Sequence, residues 1–183
     1  LIGPTKDIPA PDVNTNGQIM AFRVAAVPAV PGVIPTKLRA KPVAALTSAF
    51  PGYLPGKLPP TRKLILAEAT NGYGRLEPLL GTVADGVLQY RYPITEKPTL
   101  GSTEIWEFYN TTPDAHPIHL HLVQFQVLSR QAFTATVADN GSLSNIVLGK
   151  PFAVPANEKG WKDTAAMYPG TVTRVVAKFD MEG

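Results

Sequence analysis

Proline is the residue that most constrains how this chain can fold. The 183 residues include nineteen prolines and fifteen glycines. Because each proline removes a backbone donor and each glycine weakens regular structure, this content excludes folds built on long helices. Eight of the prolines fall between Ala25 and Pro60, a density typical of extended polyproline-like backbone. We therefore predict a proline-rich interdomain connector over residues 25–60.

The sequence changes character on either side of this connector. Before it, the apolar run Gln18–Val24 predicts one strand, which we assign to a preceding domain within residues 1–24. After it, residues 61–183 show short β-type runs separated by turn residues, the spacing expected of an all-β sandwich or barrel. The predicted strands of this third region are Lys63–Glu68, Glu77–Thr82, Thr103–Asn110, His119–Arg130, Ser144–Leu148 and Thr171–Phe179. Alternating apolar residues predict core positions at Trp106, Phe108, Phe125 and Val127.

Charge and cysteine content narrow the classes of function. The 17 basic and 14 acidic residues are spread along the chain without a Lys/Arg block, so nucleic acid is not the expected partner. No stretch approaches the roughly 18 to 20 apolar residues that a membrane span requires. The chain contains no cysteine, so it can supply neither a disulfide nor a thiolate ligand.

The three histidines of the chain all fall within the six residues from His116 to His121. His119 and His121 are two apart, so on a strand their imidazoles project from one face. Pro117 follows His116 and interrupts the ladder, so His116 can be aimed at a different site. Because these side chains can point in different directions, one motif can serve two metal centres. Imidazole is a suitable ligand for copper, zinc, nickel and iron. A single metal ion completed by water is a weaker alternative.

The stretch around these histidines resembles a known copper-binding sequence. Thr112–Leu128, TPDAHPIHLHLVQFQVL, resembles the first copper motif in the C-terminal cupredoxin domain of multicopper oxidases, especially the bacterial spore-coat laccase and bilirubin oxidase branch. Further similar segments are Gly101–Trp106, Lys159–Thr164 and Asn16–Val24. The resemblance implies a cupredoxin-like Greek-key β-sandwich over residues 61–183, incomplete at its C-terminus and preceded by a stray strand of the second domain.

The resemblance also implies copper as the cofactor and gives each histidine a role. Carried over residue by residue, His116 is a type 1 copper ligand, His119 a type 2 ligand and His121 a type 3 ligand. In the family, type 1 copper takes an electron from a small reducing substrate and passes it to a three-copper cluster, where dioxygen is reduced to water. Phenols, bilirubin-like pigments and metal ions stay open as substrates. A secreted, periplasmic or spore-surface location is implied by the resemblance alone.

One part of the family's pattern is missing. In the family, the strand similar to Thr171–Phe179 is followed by a His-Cys-His motif, whereas this chain has no cysteine and stops at Gly183. We therefore expect each copper site to be only partly supplied here, with the rest coming from the remaining segments of the same oxidase. The non-Met start favours a fragment. The alternative is a copper-free cupredoxin-like module with a structural or protein-binding role.

Overall fold

The computed structural model describes residues 62–180, together with the isolated positions 20, 23, 33 and 36. The predicted strand before Ala25 and the connector over 25–60 otherwise lie outside the described residues, so these domain boundaries stay predictions. The described residues form nine strands and one short 3-10 helix, Ala156–Glu158. None of their helices is long and apolar enough to cross a bilayer. The predicted all-β class is confirmed.

Most strands lie on predicted runs. The strands are β1 (Arg62–Thr70), β2 (Leu76–Thr82), β3 (Gly86–Leu88), β4 (Thr103–Asn110), β5 (His116–His119), β6 (Phe125–Val137), β7 (Leu143–Phe152), β8 (Thr164–Met167) and β9 (Thr171–Lys178). Of these, β3 and β8 were not predicted, and β6 and β7 extend beyond the predicted ends. The prediction of one strand over His119–Arg130 is wrong, because the extended backbone ends at His119 and resumes only at Phe125. Between them Leu122 has a φ of 67°, which a strand does not allow.

Seven strands of the described region form one large sheet, in the order β3-β2-β1-β4-β9-β6-β7, and β5 pairs with β8 in a two-stranded ribbon. In the large sheet β1 and β4 run parallel, while the other pairs are antiparallel. The parallel register places Leu66 opposite Asn110. The last residue of β4, from which the chain leads into the histidine motif, therefore lies beside the middle of β1, which continues to Thr70.

Alternate residues of the large sheet supply two apolar clusters, as the pleat of a strand requires. The first cluster joins the sheet to the ribbon and consists of Leu64, Leu66, Trp106, Phe108, Val123, Phe125, Val127, Ala165, Met167, Val175 and Ala177. It contains the four residues predicted to be core, which are all buried. The second cluster is centred on Ile65, Tyr109, Leu143 and Val172. The ribbon that carries the histidines is thus held by the first cluster.

An ion pair between Arg62 and Glu104 joins β1 to the parallel strand β4. Arg62 donates from Nε to Glu104 Oε2 at 2.8 Å, and the Trp106 indole donates to the same oxygen at 2.8 Å. Burial alone would raise the pKa of the Glu104 carboxyl, but these hydrogen bonds and the Arg62 charge outweigh it and hold that pKa below its usual range. The carboxylate therefore stays ionised and keeps its bond to Arg62 at neutral pH.

The two ends of the large sheet meet through their hairpin turns. Val87 donates its backbone N–H to the Asn140 carbonyl at 2.8 Å, and Leu143 donates to the Val83 carbonyl at 2.9 Å. We call this contact the hairpin junction. Because β2–β3 and β6–β7 lie at opposite ends of the strand order, the sheet curls around the second apolar cluster.

The hairpin junction requires glycine at position 86. Gly86 has a φ of +83°, and a Cβ there would lie 2.2 Å from the Asn140 carbonyl oxygen. We expect Gly86→Ala to cost about 2–4 kcal/mol, from the left-handed backbone and the overpacked contact together. Gly101 is a matched control, since it shares the φ of +83° but a Cβ added there would have no neighbour within 4 Å. Gly101→Ala should cost only about 1–2 kcal/mol. Equal losses in urea unfolding would contradict the steric argument.

Candidate metal centre

The histidine motif begins on the ribbon strand β5, where His116 pairs with Met167 and His119 with Thr164 of β8. Side chains alternate along this strand: His116 is half-buried and His119 is exposed. Since the two histidines are three residues apart, they lie on opposite faces of the ribbon. The ribbon thus separates His116 from His119. The predicted interruption at Pro117 is wrong, because Pro117 lies within β5 and pairs with β8, and the alternation of side chains makes the separation instead.

His116 is held by the loop that precedes it and by β1. Its Nε2 lies 2.7 Å from Thr112 Oγ1 and 3.3 Å from Glu68 Oε1. Asn110, which is fully buried, accepts the Thr112 backbone N–H at 2.9 Å and donates to the Met167 carbonyl at 2.8 Å. Asn110 therefore ties the loop to β8 and fixes the position of Thr112 beside the His116 ring.

His119 is oriented from the other side of the ribbon. Its Nδ1 lies 2.9 Å from the Asp163 carbonyl oxygen and 3.0 Å from Thr164 Oγ1. A carbonyl can only accept, so we assign the ring proton to Nδ1, which leaves the lone pair on Nε2. A ring nitrogen that donates to a carbonyl while the other stays bare is the arrangement usual for metal-binding histidine.

His121 lies beyond the end of β5, so its predicted place on the same strand as His119 is wrong. The two rings nevertheless meet edge to face, with centroids 5.0 Å apart and planes at 64°. Both side chains are exposed. The left-handed backbone at Leu122 follows immediately. The bend in the chain, and not the pleat of a strand, therefore places His121 beside His119.

The remaining candidates in the motif have structural contacts. Asp114 meets its neighbours through its backbone: the carbonyl accepts from the Asn110 side chain at 2.7 Å, and the N–H donates to Thr112 Oγ1 at 3.2 Å. Asp163 likewise acts through its carbonyl. Met167 is fully buried in the first apolar cluster. Sequence reasoning missed Glu68, because only the parallel pairing of β1 with β4 brings it to His116.

Two cavities open beside the histidines. One of about 250 Å³ is lined by His116, Pro117 and apolar residues of β1 and β2. The other, of about 360 Å³, lies beside His119 and includes Tyr92 and Trp106 in its wall. Each of these two histidines therefore borders open space. The walls of the two cavities share Leu80 and Ile118.

The nitrogen donors of the histidines suit copper, the metal that the sequence resemblance implies. Imidazole nitrogen is a suitable copper ligand, and the bare Nε2 of His119 is available for one. Within residues 62–180 no group of three His, Cys, Asp or Glu side chains converges on one point. The histidine nitrogens therefore suit copper chemically, and the described residues do not by themselves assemble a three-ligand group.

Comparison with known proteins decides the family. Residues 62–183 match the family model described as multicopper oxidase. The chain belongs to the multicopper oxidase family. It is 39% identical over 133 residues to the laccase of Bacillus subtilis (strain 168), covering 72% of this chain and 25% of that protein. It is 37% identical over 172 residues to the laccase of Bacillus stratosphericus, covering 92% of this chain and 31% of that protein.

Among solved structures, the multi-copper oxidase from Pediococcus acidilactici aligns at 25% identity and a TM-score of 0.48, covering 82% of this chain and 25% of that one. The chain spans between a quarter and a third of the length of the two Bacillus laccases. Membership of the multicopper oxidase family confirms the predicted family, and the all-β architecture of residues 62–180 is cupredoxin-like. The family is one of oxidoreductases that use copper, dioxygen and reducing substrates.

Proposed function

We propose that this chain is the C-terminal cupredoxin-like region of a laccase-type multicopper oxidase. The complete protein oxidises phenolic or related small reducing substrates and reduces dioxygen to water. In this proposal His116 serves type 1 copper, His119 type 2 copper and His121 type 3 copper. The observation that carries it is the division of the motif by one ribbon, with His116 half-buried on one face and the rings of His119 and His121 side by side beyond the other.

The surrounding residues support this division of roles. Thr112 and Glu68 engage His116 through Nε2, and the Asp163 carbonyl orients His119 through Nδ1. When bound, copper supplies the one-electron steps by which four electrons and four protons convert one dioxygen to two waters. The protein's own contribution is to hold the imidazoles in fixed orientations, so that less ordering is needed when a metal arrives.

The 183 residues by themselves offer one histidine to each kind of copper and no thiolate. Stable metal sites in folded proteins use about three or four protein ligands. We therefore assign the remaining ligands to other segments of the same oxidase, which reach the exposed rings of His119 and His121. This is also why both rings are more exposed than bound metal ligands usually are.

A copper titration combined with a phenol-oxidation assay tests the proposal. The 183-residue chain alone should show no stoichiometric copper uptake, no blue absorption and no turnover. A longer polypeptide that includes the remaining ligand-bearing segments should show all three. Blue colour and turnover from the short chain would contradict the assignment of the missing ligands. A longer polypeptide that folds but takes up no copper would instead favour the copper-free binding module.

A further inference from the structure

Glu68 approaches His116 from a distant part of the sequence. It lies near the end of β1, and its carboxylate Oε1 is 3.3 Å from His116 Nε2. The Glu68 side chain is 13% exposed, so its carboxylate has given up much of its hydration. Burying a carboxylate is costly unless a donor compensates. The His116 ring nitrogen lies at ion-pair distance from this carboxylate and can compensate it.

Thr112 indicates the direction of donation at His116. Its hydroxyl oxygen is 2.9 Å from Asn110 Oδ1 and 3.0 Å from the Asp114 carbonyl oxygen, two acceptors to which we assign its single proton, and it accepts the Asp114 backbone N–H at 3.2 Å. A lone pair of Thr112 Oγ1 thus faces His116 Nε2 at 2.7 Å. Glu68, when ionised, can only accept. Both neighbours of Nε2 are therefore acceptors, which places the ring proton on Nε2 and the free lone pair on Nδ1.

We propose that Glu68 is a positioning residue for His116: together with Thr112 it holds the proton at Nε2 and so presents Nδ1 to the metal. This inference rests on the proposed function, in which His116 is a copper ligand. A carboxylate behind a metal-binding imidazole fixes the ring's tautomer and raises its basicity, and loss of such a partner typically lowers metal affinity by about 10- to 100-fold. His119 receives the opposite tautomer from the Asp163 carbonyl, so the ribbon presents a different nitrogen at each end.

The test is nitrogen NMR of the His116 ring in the metal-free 183-residue chain, in mildly alkaline buffer. The wild-type ring should carry its proton on Nε2, and that proton should exchange slowly with solvent. Glu68→Gln should accelerate the exchange by about tenfold and admit the Nδ1-protonated form, because the charged acceptor beside Nε2 is replaced by a neutral amide, which can also donate. Glu77→Gln on β2, whose carboxylate accepts from Asn71, is the matched control and should change nothing at His116.

Thr112 provides a second pair of variants. Thr112→Val should accelerate Nε2 proton exchange at least as much as Glu68→Gln does. Thr112→Ser, which keeps the hydroxyl, should give the wild-type signal. Amide spectra establish that each variant is folded. A proton on Nδ1 in the wild type, or a Glu68→Gln ring indistinguishable from wild type, would overturn the proposal. If the Nε2 proton depends on Glu68 while a longer, folded oxidase takes up no copper, the positioning role is supported and the proposed function fails.

Discussion

Replacing His119 or His121 by alanine in the copper-loaded longer oxidase should reduce dioxygen consumption by more than about 100-fold. The basis for this figure is that removing a residue that only hydrogen-bonds to a metal ligand already lowers metal affinity or activity by about 10- to 100-fold. The blue absorption should remain in both variants, since the ribbon separates these rings from His116. His116→Ala should have the converse effect, removing the blue absorption.

Oxygen-electrode rates and visible spectra of the same preparations measure this result. Asp114→Asn is the matched control, because Asp114 contacts its neighbours through its backbone and its side chain is exposed. Loss of the blue absorption in the His121→Ala variant would show that the two ends of the motif do not serve separate centres. Full activity in either histidine variant would remove that residue from the ligand set.

Arg174→Met should lower the free energy of unfolding by about 3–5 kcal/mol. Arg174 is 1% exposed and donates to Glu107 and Gln131 within the large sheet. Without the guanidinium, Glu107 keeps the Tyr109 hydroxyl at 2.7 Å as a donor but becomes a buried charge with no opposite charge beside it. The cost arises from that carboxylate more than from the lost bond.

Urea unfolding followed by tryptophan fluorescence gives the comparison. Arg75→Met changes an exposed arginine and should lie within about 0.5 kcal/mol of wild type. The double variant Arg174→Met with Glu107→Leu should recover much of the lost stability, because no unpaired charge remains. A single Arg174→Met variant as stable as the Arg75 control would contradict a structural role for the pair.

The parts of the fold that follow from local runs of residues were predictable from the sequence. Thr103–Asn110 was predicted with the bounds that β4 has in the structure, because it is a run of apolar and aromatic residues that favour strands, between turn-forming residues. The strands β3 and β8 were missed, since three or four residues make too short a run. The family resemblance came from short motifs, chiefly Thr112–Leu128, which need no knowledge of long-range pairing.

The surroundings of the histidines were less predictable. Leu120, Leu122 and Val123 continue the apolar character of the motif, which favoured one long strand, yet the backbone is left-handed at Leu122 and that side chain is 73% exposed. No local propensity of leucine favours this conformation. The approach of Glu68 to His116 depends on β1 pairing in parallel with β4, a contact between segments far apart in the sequence.

The ribbon also couples the histidines to the stability of the whole domain. A two-stranded antiparallel pair is marginal in water by itself, so β5 and β8 keep their shape through the packing of Ala165 and Met167 on the first apolar cluster. Local opening of the ribbon would release His116 and His119 in one event. Any ion that binds these rings stabilises the closed ribbon relative to the open one. By thermodynamic linkage, closing the ribbon raises the affinity for that ion by the same free energy. Metal binding to the histidines and the stability of the ribbon against opening are therefore thermodynamically coupled.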